Sequence, residues 1–347
     1  MKKNILLVFV ILFYLSCSKK DNKSINIEKA FYHWKGESYF DETSINELNN
    51  HKIKKIYFKM FEVDYNDVKG NYPYEKNSPS TYTFEKLDSI NIIPVVFIRN
   101  EIFQFNSEKT LDKLADNITF LIEKYQKNNG NPFYNYSEIQ IDCDWTKSTK
   151  NKYFYLLKKI KELSKKEISC TLRLYPYKYP DVMGIPPVDK VTLMCYNLIK
   201  PLSNKEKNSI LDIEELKSYL NVKKKYPLHL DIALPVYYWT QWYQNNRFSG
   251  LLNISSSEFK TFAKEIKPLW FEITKDTTYN YDTYFRKGDQ LKCEEVSKDK
   301  ILEAITIIKN NIELDEKITV SLFHLDQSTF KKYDYESISS FYNSFSK

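Results

Sequence analysis

The stretch Ser137-Glu-Ile-Gln-Ile-Asp-Cys-Asp-Trp-Thr146 carries two carboxylates into an otherwise apolar strand. Burying an ionised carboxylate among apolar side chains costs several kcal/mol unless it is paired or hydrogen-bonded. Alternation puts Gln140, Asp142, Asp144 and Thr146 on one side of such a strand, and Ile139, Ile141, Cys143 and Trp145 on the other. The polar set faces an open space and the apolar set faces packed neighbours. This is the pattern of a central barrel or sheet strand whose polar side opens into a site. Behind it, Ser148 or Thr149 can cap a helix in which Tyr153, Leu156, Leu157, Ile160 and Leu163 form one apolar stripe.

The same alternation extends outward in both directions. Upstream, residues 30–34 and 52–63 predict strands, the second carrying Tyr57, Lys59 and Phe61 on one face. Residues 64–81 read as a loop. Residues 92–98 are apolar on both faces, as in a buried parallel strand, and Leu111, Leu114, Ile118, Ile122 and Tyr125 mark an amphipathic helix. Downstream, strands are expected at 167–174, 191–198, 228–238 and 318–325, and helices at 211–220, 258–266, 301–308 and 337–345. Residues 269–295 read as a small β excursion, with Lys287-Gly288-Asp289 as its tight turn. Strands alternating with helices imply parallel pairing. The fold class is therefore α/β, a (β/α)8 TIM barrel with a small β excursion between strands 7 and 8. The chain holds only six glycines and no Gly-rich phosphate loop, which argues against a dinucleotide fold.

The N-terminus begins Met-Lys-Lys, runs apolar over 5–15 and breaks at Ser16-Cys17, the pattern of a bacterial export signal. The run is too short to span a bilayer comfortably. Leu15-Ser16-Cys17 resembles the lipobox of bacterial lipoproteins, with Tyr14 where leucine is commoner. That resemblance implies a signal over 1–16, an acylated Cys17 with a polar tether over 17–28, and one barrel domain over 29–347. It implies a lipid-anchored protein of the bacterial cell envelope, at the outer membrane. An ordinary secretory signal cut nearby is the alternative. Losing Lys2 and Lys3 takes the net charge from +7 to about +5, and no basic block stands apart, so no nucleic-acid partner is expected. Cys143, Cys170 and Cys195 lie in apolar strands and Cys293 is isolated. With four histidines and no metal-ligand spacing, neither a metal site nor a cofactor is expected. Buried free thiols are expected, with a bridge between neighbouring strands as the alternative.

Polar and aromatic residues gather near the predicted C-terminal strand ends: His33, Trp34, Arg99, Asp144, Thr146, Arg173, Tyr175, Tyr196, Asn197, Tyr237, Trp239 and His324. In barrels that rim carries the active site. Tyrosine and tryptophan there offer flat apolar faces with polar edges, suited to stacking on sugar rings.

Two segments carry a resemblance. Asp142-Cys143-Asp144-Trp145-Thr146 resembles the fourth-strand motif of the chitinase-like, family-eighteen glycosidases: Asp, an apolar residue, Asp, any residue, Glu. Met194-Cys195-Tyr196-Asn197 resembles that family's sixth-strand Met-x-Tyr-Asp. The resemblance implies a barrel, a carbohydrate ligand or substrate, and a groove lined by aromatics. The family's proton donor is the motif's final glutamate, where this chain has Thr146, whose hydroxyl is not appreciably acidic. Glu138 lies at the opposite end of the strand. Asp144 is the carboxylate nearest the rim, with Asp142 below it as a like charge; Asp326 and Glu101 are further candidates. Three readings stay open: a divergent glycoside hydrolase with Asp144 as acid, a carbohydrate-binding barrel without chemistry, and a scaffold whose carboxylates only neutralise Arg99, Arg173 or Lys59.

Overall fold

Eight strands pair in parallel, each with its sequence neighbour, in a computed structural model that describes residues 25–36, 39–87, 89–128, 136–222 and 224–346. They are Asn26–His33, Lys55–Asn66, Asn91–Ile98, Glu138–Asp142, Glu167–Leu172, Lys190–Met194, His229–Pro235 and Lys317–Phe323. The first strand pairs with both the second and the last, so the sheet closes into the expected (β/α)8 barrel. The export signal, Cys17 and most of the tether lie outside the described residues. No helix among the described residues is long and apolar enough to cross a membrane.

The fourth strand shows how the sequence produces this arrangement. Ile139 and Ile141 are buried outward against helix Lys150–Ser164, which presents Tyr153, Leu156, Leu157 and Ile160 to the sheet. Fully burying each aliphatic side chain contributes about 1.5–3 kcal/mol. Leu163 falls off that stripe, at 47% exposure. Thr149 occupies the N-cap position. Its hydroxyl accepts from the Thr146 amide at 2.9 Å and donates to Asn100 Oδ1 at 2.5 Å.

Inside the barrel the side chains are mostly polar. At the N-terminal end Lys190 Nζ lies 2.8 Å from Glu138, 3.2 Å from Asp231 and 3.5 Å from Glu167. Lys55 bridges Glu28 at 2.8 Å and Glu138 at 3.6 Å. Burial opposes charge on Lys190, but Asp231 and Glu138 hold its pKa well above the ordinary lysine value. One layer higher, Gln140 accepts from the Tyr32 hydroxyl at 2.7 Å and donates to Ser169 and Thr192. Glu138, Gln140 and Lys190 thus each meet partners from other strands, whereas the Tyr57 and Ser321 hydroxyls are buried without a hydrogen-bond partner among the described residues.

Several expectations are corrected. First, the pairing register of the second strand shifts between Lys59 and Phe61. This bulge turns Phe61 outward beside Leu114 and Ile118 and brings Glu62 to the side of Lys59, so the expected shared face of Lys59 and Phe61 does not exist. Second, the expected loop after this strand is a hairpin, in which Gly70, at φ +67°, opens the return strand Gly70–Tyr74. Third, the excursion begins at Trp239 rather than residue 269. Its five-stranded antiparallel sheet contains Trp239–Gln244, Arg247–Leu252, Ala263–Lys267, Trp270–Ile273 and Gln290–Glu294.

Of the helix expected over 258–266, only Ser256–Phe259 is helical, closed by a capping box between Ser255 and Glu258. Residues 260–262 turn and strand Ala263–Lys267 follows, while Phe259 and Phe262 join Ile273, Phe285 and Leu291 in a separate small core. The turn at Gly288, φ +88°, is where the sequence placed it. Cys143, Cys170, Cys195 and Cys293 are buried free thiols.

Candidate functional site

The C-terminal end of the barrel divides into a charged half and an aromatic half. Asp142 closes the fourth strand with its side chain inside the barrel, accepting a hydrogen bond from the Thr171 hydroxyl on the fifth strand. Burial, and secondarily the Asp144 charge, raise its pKa to about 7. Asp144 stands beyond the strand end and is ion-paired with Arg173 Nε, the two side chains being 47% and 42% exposed. Between them Cys143 is buried. So is Trp145, which stacks on Tyr153 at 5.3 Å and donates from Nε1 to the Met183 carbonyl. The strict alternation of the motif therefore continues past the last ladder bond. Thr146 belongs to the following helix start, where its hydroxyl contacts those of Ser148 at 2.9 Å and Thr149 at 3.1 Å.

The charged half continues on the second and third strands. Lys59 Nζ lies 2.5 Å from Glu62, 2.7 Å from Glu75 and 5.5 Å from the centre of the Trp34 ring. Tyr74 donates to Glu62 and accepts from Arg99 Nε at 2.6 Å, and Arg99 also lies 3.5 Å from Asp64. Burial, then the bond to Glu62, push the Tyr74 phenol up to about 12. Of the cations named from sequence as partners of the two aspartates, only Arg173 pairs with one; Lys59 and Arg99 are neutralised elsewhere.

The aromatic half is built around Phe323 at the end of the last strand, joined to His324 by a cis peptide bond. Ring centres of Tyr196, Tyr237, His324, Trp34 and Tyr32 lie 5.0, 5.4, 5.4, 5.6 and 5.8 Å from it. Trp239 lies edge-on to Tyr237 at 5.5 Å, and its indole N–H donates to the buried Glu294. Burial works against charge on Glu294, but bonds from Lys292, Ser209 and Trp239 hold its carboxyl below the ordinary range. Tyr237 donates to Asn197, which adopts φ +53°, a conformation asparagine tolerates better than most residues. Burial holds the His324 imidazole below its usual pKa.

Two hollows open on this surface. One, of about 440 Å³, is lined by Trp34, Asn197, Tyr237, Trp239, Phe323 and His324, with Lys35 and Leu251 at its edge. The other, of about 410 Å³, is lined by Asp144, Thr146, Lys147, Arg173, Tyr175 and Val182. Tyr196 is buried beneath the rim against Phe323 and Tyr237. The structure thus brings the sequence-predicted rim residues together at one end, except that His33 points away from it and Arg99, though at that end, lines neither hollow. His33 faces outward, stacked on Phe58 at 4.9 Å, and Arg99 turns to the Tyr74 hairpin. Glu138 is at the far end as expected. Asp326 caps helix Gln327–Lys332 and pairs with Lys35, while Glu101 is exposed.

Phe323, Glu62 and Tyr74 were missed by the sequence reading. Phe323 lies one residue before a residue that was chosen. The Lys59/Glu62 pair could not be read as sharing a face without the bulge. A metal site is not formed: among the described residues no group of His, Cys, Asp or Glu is placed to hold one.

No family model matches the chain, and no curated protein matches it in sequence. Solved structures do match. The spore cortex-lytic enzyme SleL of Bacillus cereus aligns over 93% of this chain and 75% of its own, at 14% identity and a TM-score of 0.56. A Group IV chitinase of Ostrinia furnacalis aligns over 92% of this chain and 99% of its own, at 10% identity and a TM-score of 0.53. At these identities the likeness is one of fold: the chain shares a (β/α)8 barrel with these two proteins.

Proposed function

We propose that this chain is a carbohydrate-binding barrel of chitinase-like architecture, carried on the bacterial cell envelope by a lipid on Cys17. The observation that carries the reading is the mouth itself. An aromatic hollow of about 440 Å³ opens at the same end of the barrel as a fourth-strand motif that lines the second hollow and whose proton-donor position is Thr146, already engaged in a helix-start hydroxyl cluster. Trp34, Trp239 and Phe323 supply faces for sugar rings, while Asn197 and His324 supply polar edges for their hydroxyls. Asp144 already gives an oxygen to Arg173. The likeness to SleL and the Ostrinia chitinase supports a glycan as the ligand. The lipid anchor rests on the sequence of residues 1–17 alone.

One observation favours a second reading. A buried carboxyl with a pKa of about 7 is half-protonated at neutral pH, as a general acid should be, which makes Asp142 rather than Asp144 the candidate donor of a divergent hydrolase. Incubating the chain from Asp21 onward with an oligosaccharide panel, including N-acetylated members, separates the two. Retained but uncut glycan is the expected result. Products seen by mass spectrometry with wild type but not with Asp142→Asn would replace binding by hydrolysis. For the anchor, labelled palmitate should enter wild type and not Cys17→Ser; equal labelling would remove it.

A further inference from the structure

The two hollows of the mouth differ in charge. In the aromatic one, Lys35 is matched by Asp326, and burial disfavours the charged form of His324. In the second, Lys147 is exposed and forms no ion pair among the described residues. Lys150 adds an ammonium at the edge, donating to the Val182 carbonyl at 2.9 Å. Arg173 donates only through Nε, to Asp144, so both terminal NH2 groups of its guanidinium are without a hydrogen-bond partner among the described residues. Asp144 is the only acid among the lining residues. Tyr175, 49% exposed, and Val182, 39% exposed, give the same hollow apolar walls.

We propose that this second hollow is a subsite for an acidic sugar, a ring that lies on Tyr175 and Val182 and presents a carboxylate to Arg173 and Lys147. The inference rests on the glycan-binding reading and names the class of glycan. A guanidinium whose terminal N–H groups are unspent is suited to paired bonds with a planar oxyanion, a geometry an ammonium does not offer. Asp144 fixes the guanidinium by its Nε edge, leaving the remaining edges for ligand. The aromatic hollow, without a surplus charge, takes the neutral part of the chain. Recognition is divided between stacking on one side and charge on the other.

The test uses matched pairs: oligosaccharides of glucose, mannose, galactose and N-acetylglucosamine, each beside its C6-oxidised, carboxylate-bearing counterpart, titrated calorimetrically against the chain from Asp21 onward. The expected result is at least tenfold tighter binding of one acidic member than of its neutral partner. That ratio should fall toward one in Arg173→Gln and shrink in Lys147→Gln, an exposed position whose substitution spares the fold if Arg173→Gln does not. Arg173→Lys should recover only part of it. Equal binding of acidic and neutral partners overturns this inference and leaves the glycan-binding reading standing. A preference untouched by both Gln variants overturns its placement here. Binding of no member overturns both.

Discussion

The two ends of the barrel use the same chemistry for different ends. At the N-terminal floor, Lys190 faces Glu138 and Asp231, side chains only 11%, 2% and 1% exposed. At the mouth, Arg173 and Asp144 form one pair with both partners nearly half exposed. Buried charges must be fully matched, because an orphaned one loses its hydration with no return. Exposed pairs contribute little to stability and remain free to meet a ligand. Exposure, more than residue type, separates the carboxylates that hold the fold from those available for recognition.

The largest effect that could break this comparison is at the floor. Lys190→Met should leave the buried Glu138 with only Lys55, 3.6 Å away, and Asp231 with only His229 as ionic partners, and cost about 3–5 kcal/mol, read as a lowered denaturant midpoint. A loss below about 1 kcal/mol would place the floor on the same footing as the surface.

Asp142 sharpens the boundary, being at the mouth yet buried. Its folded pKa of about 7 lies above the ordinary 3.8. Below that ordinary value both folded and unfolded chains hold the proton; between it and about 7 only the folded chain does. Stability should therefore decline as pH rises through that window, by at most about 1.4 kcal/mol per pH unit from this group, and level off above it. Asp142→Asn should flatten that slope in chemical unfolding followed from pH 4 to pH 8. An unchanged slope would show that Asp142 is not the group responsible.

Smaller stability effects belong to the exposed pair. Asp144→Asn should cost less than about 1 kcal/mol in the same unfolding experiment. A cost of several kcal/mol would move this pair into the scaffold and favour the third of the readings open from the sequence.

Much of this division was legible in the residues. The polar and apolar phases of 137–146, read as a strand pointing into a site, give Gln140 and Asp142 their observed inward positions and Ile139 and Ile141 their outward ones. Strand–helix alternation was enough for the closed barrel because the apolar runs are short and several are followed by a helical stripe. What escaped was local irregularity. The bulge near Lys59 reverses the phase of one strand without leaving a mark in hydrophobicity. The early half of the excursion was unread although Asn245 and Asn246, at φ +48° and +61°, form the sort of turn that ends a hairpin. Phe323 could not be separated from its neighbours because its role comes from five rings supplied by other strands and its own successor.

The central claim, that the mouth recognises a glycan while the floor only holds the barrel, is tested most directly by titrating the best-retained oligosaccharide into wild type and Trp239→Ala at equal melting temperature. Trp239 lines the aromatic hollow, and Glu294 keeps bonds from Ser209, Lys292 and Gln241 without it. The account predicts at least a tenfold loss of affinity, about 1.4 kcal/mol, from removal of one stacking face. Unchanged affinity in a folded variant would contradict it and place the glycan elsewhere on the protein.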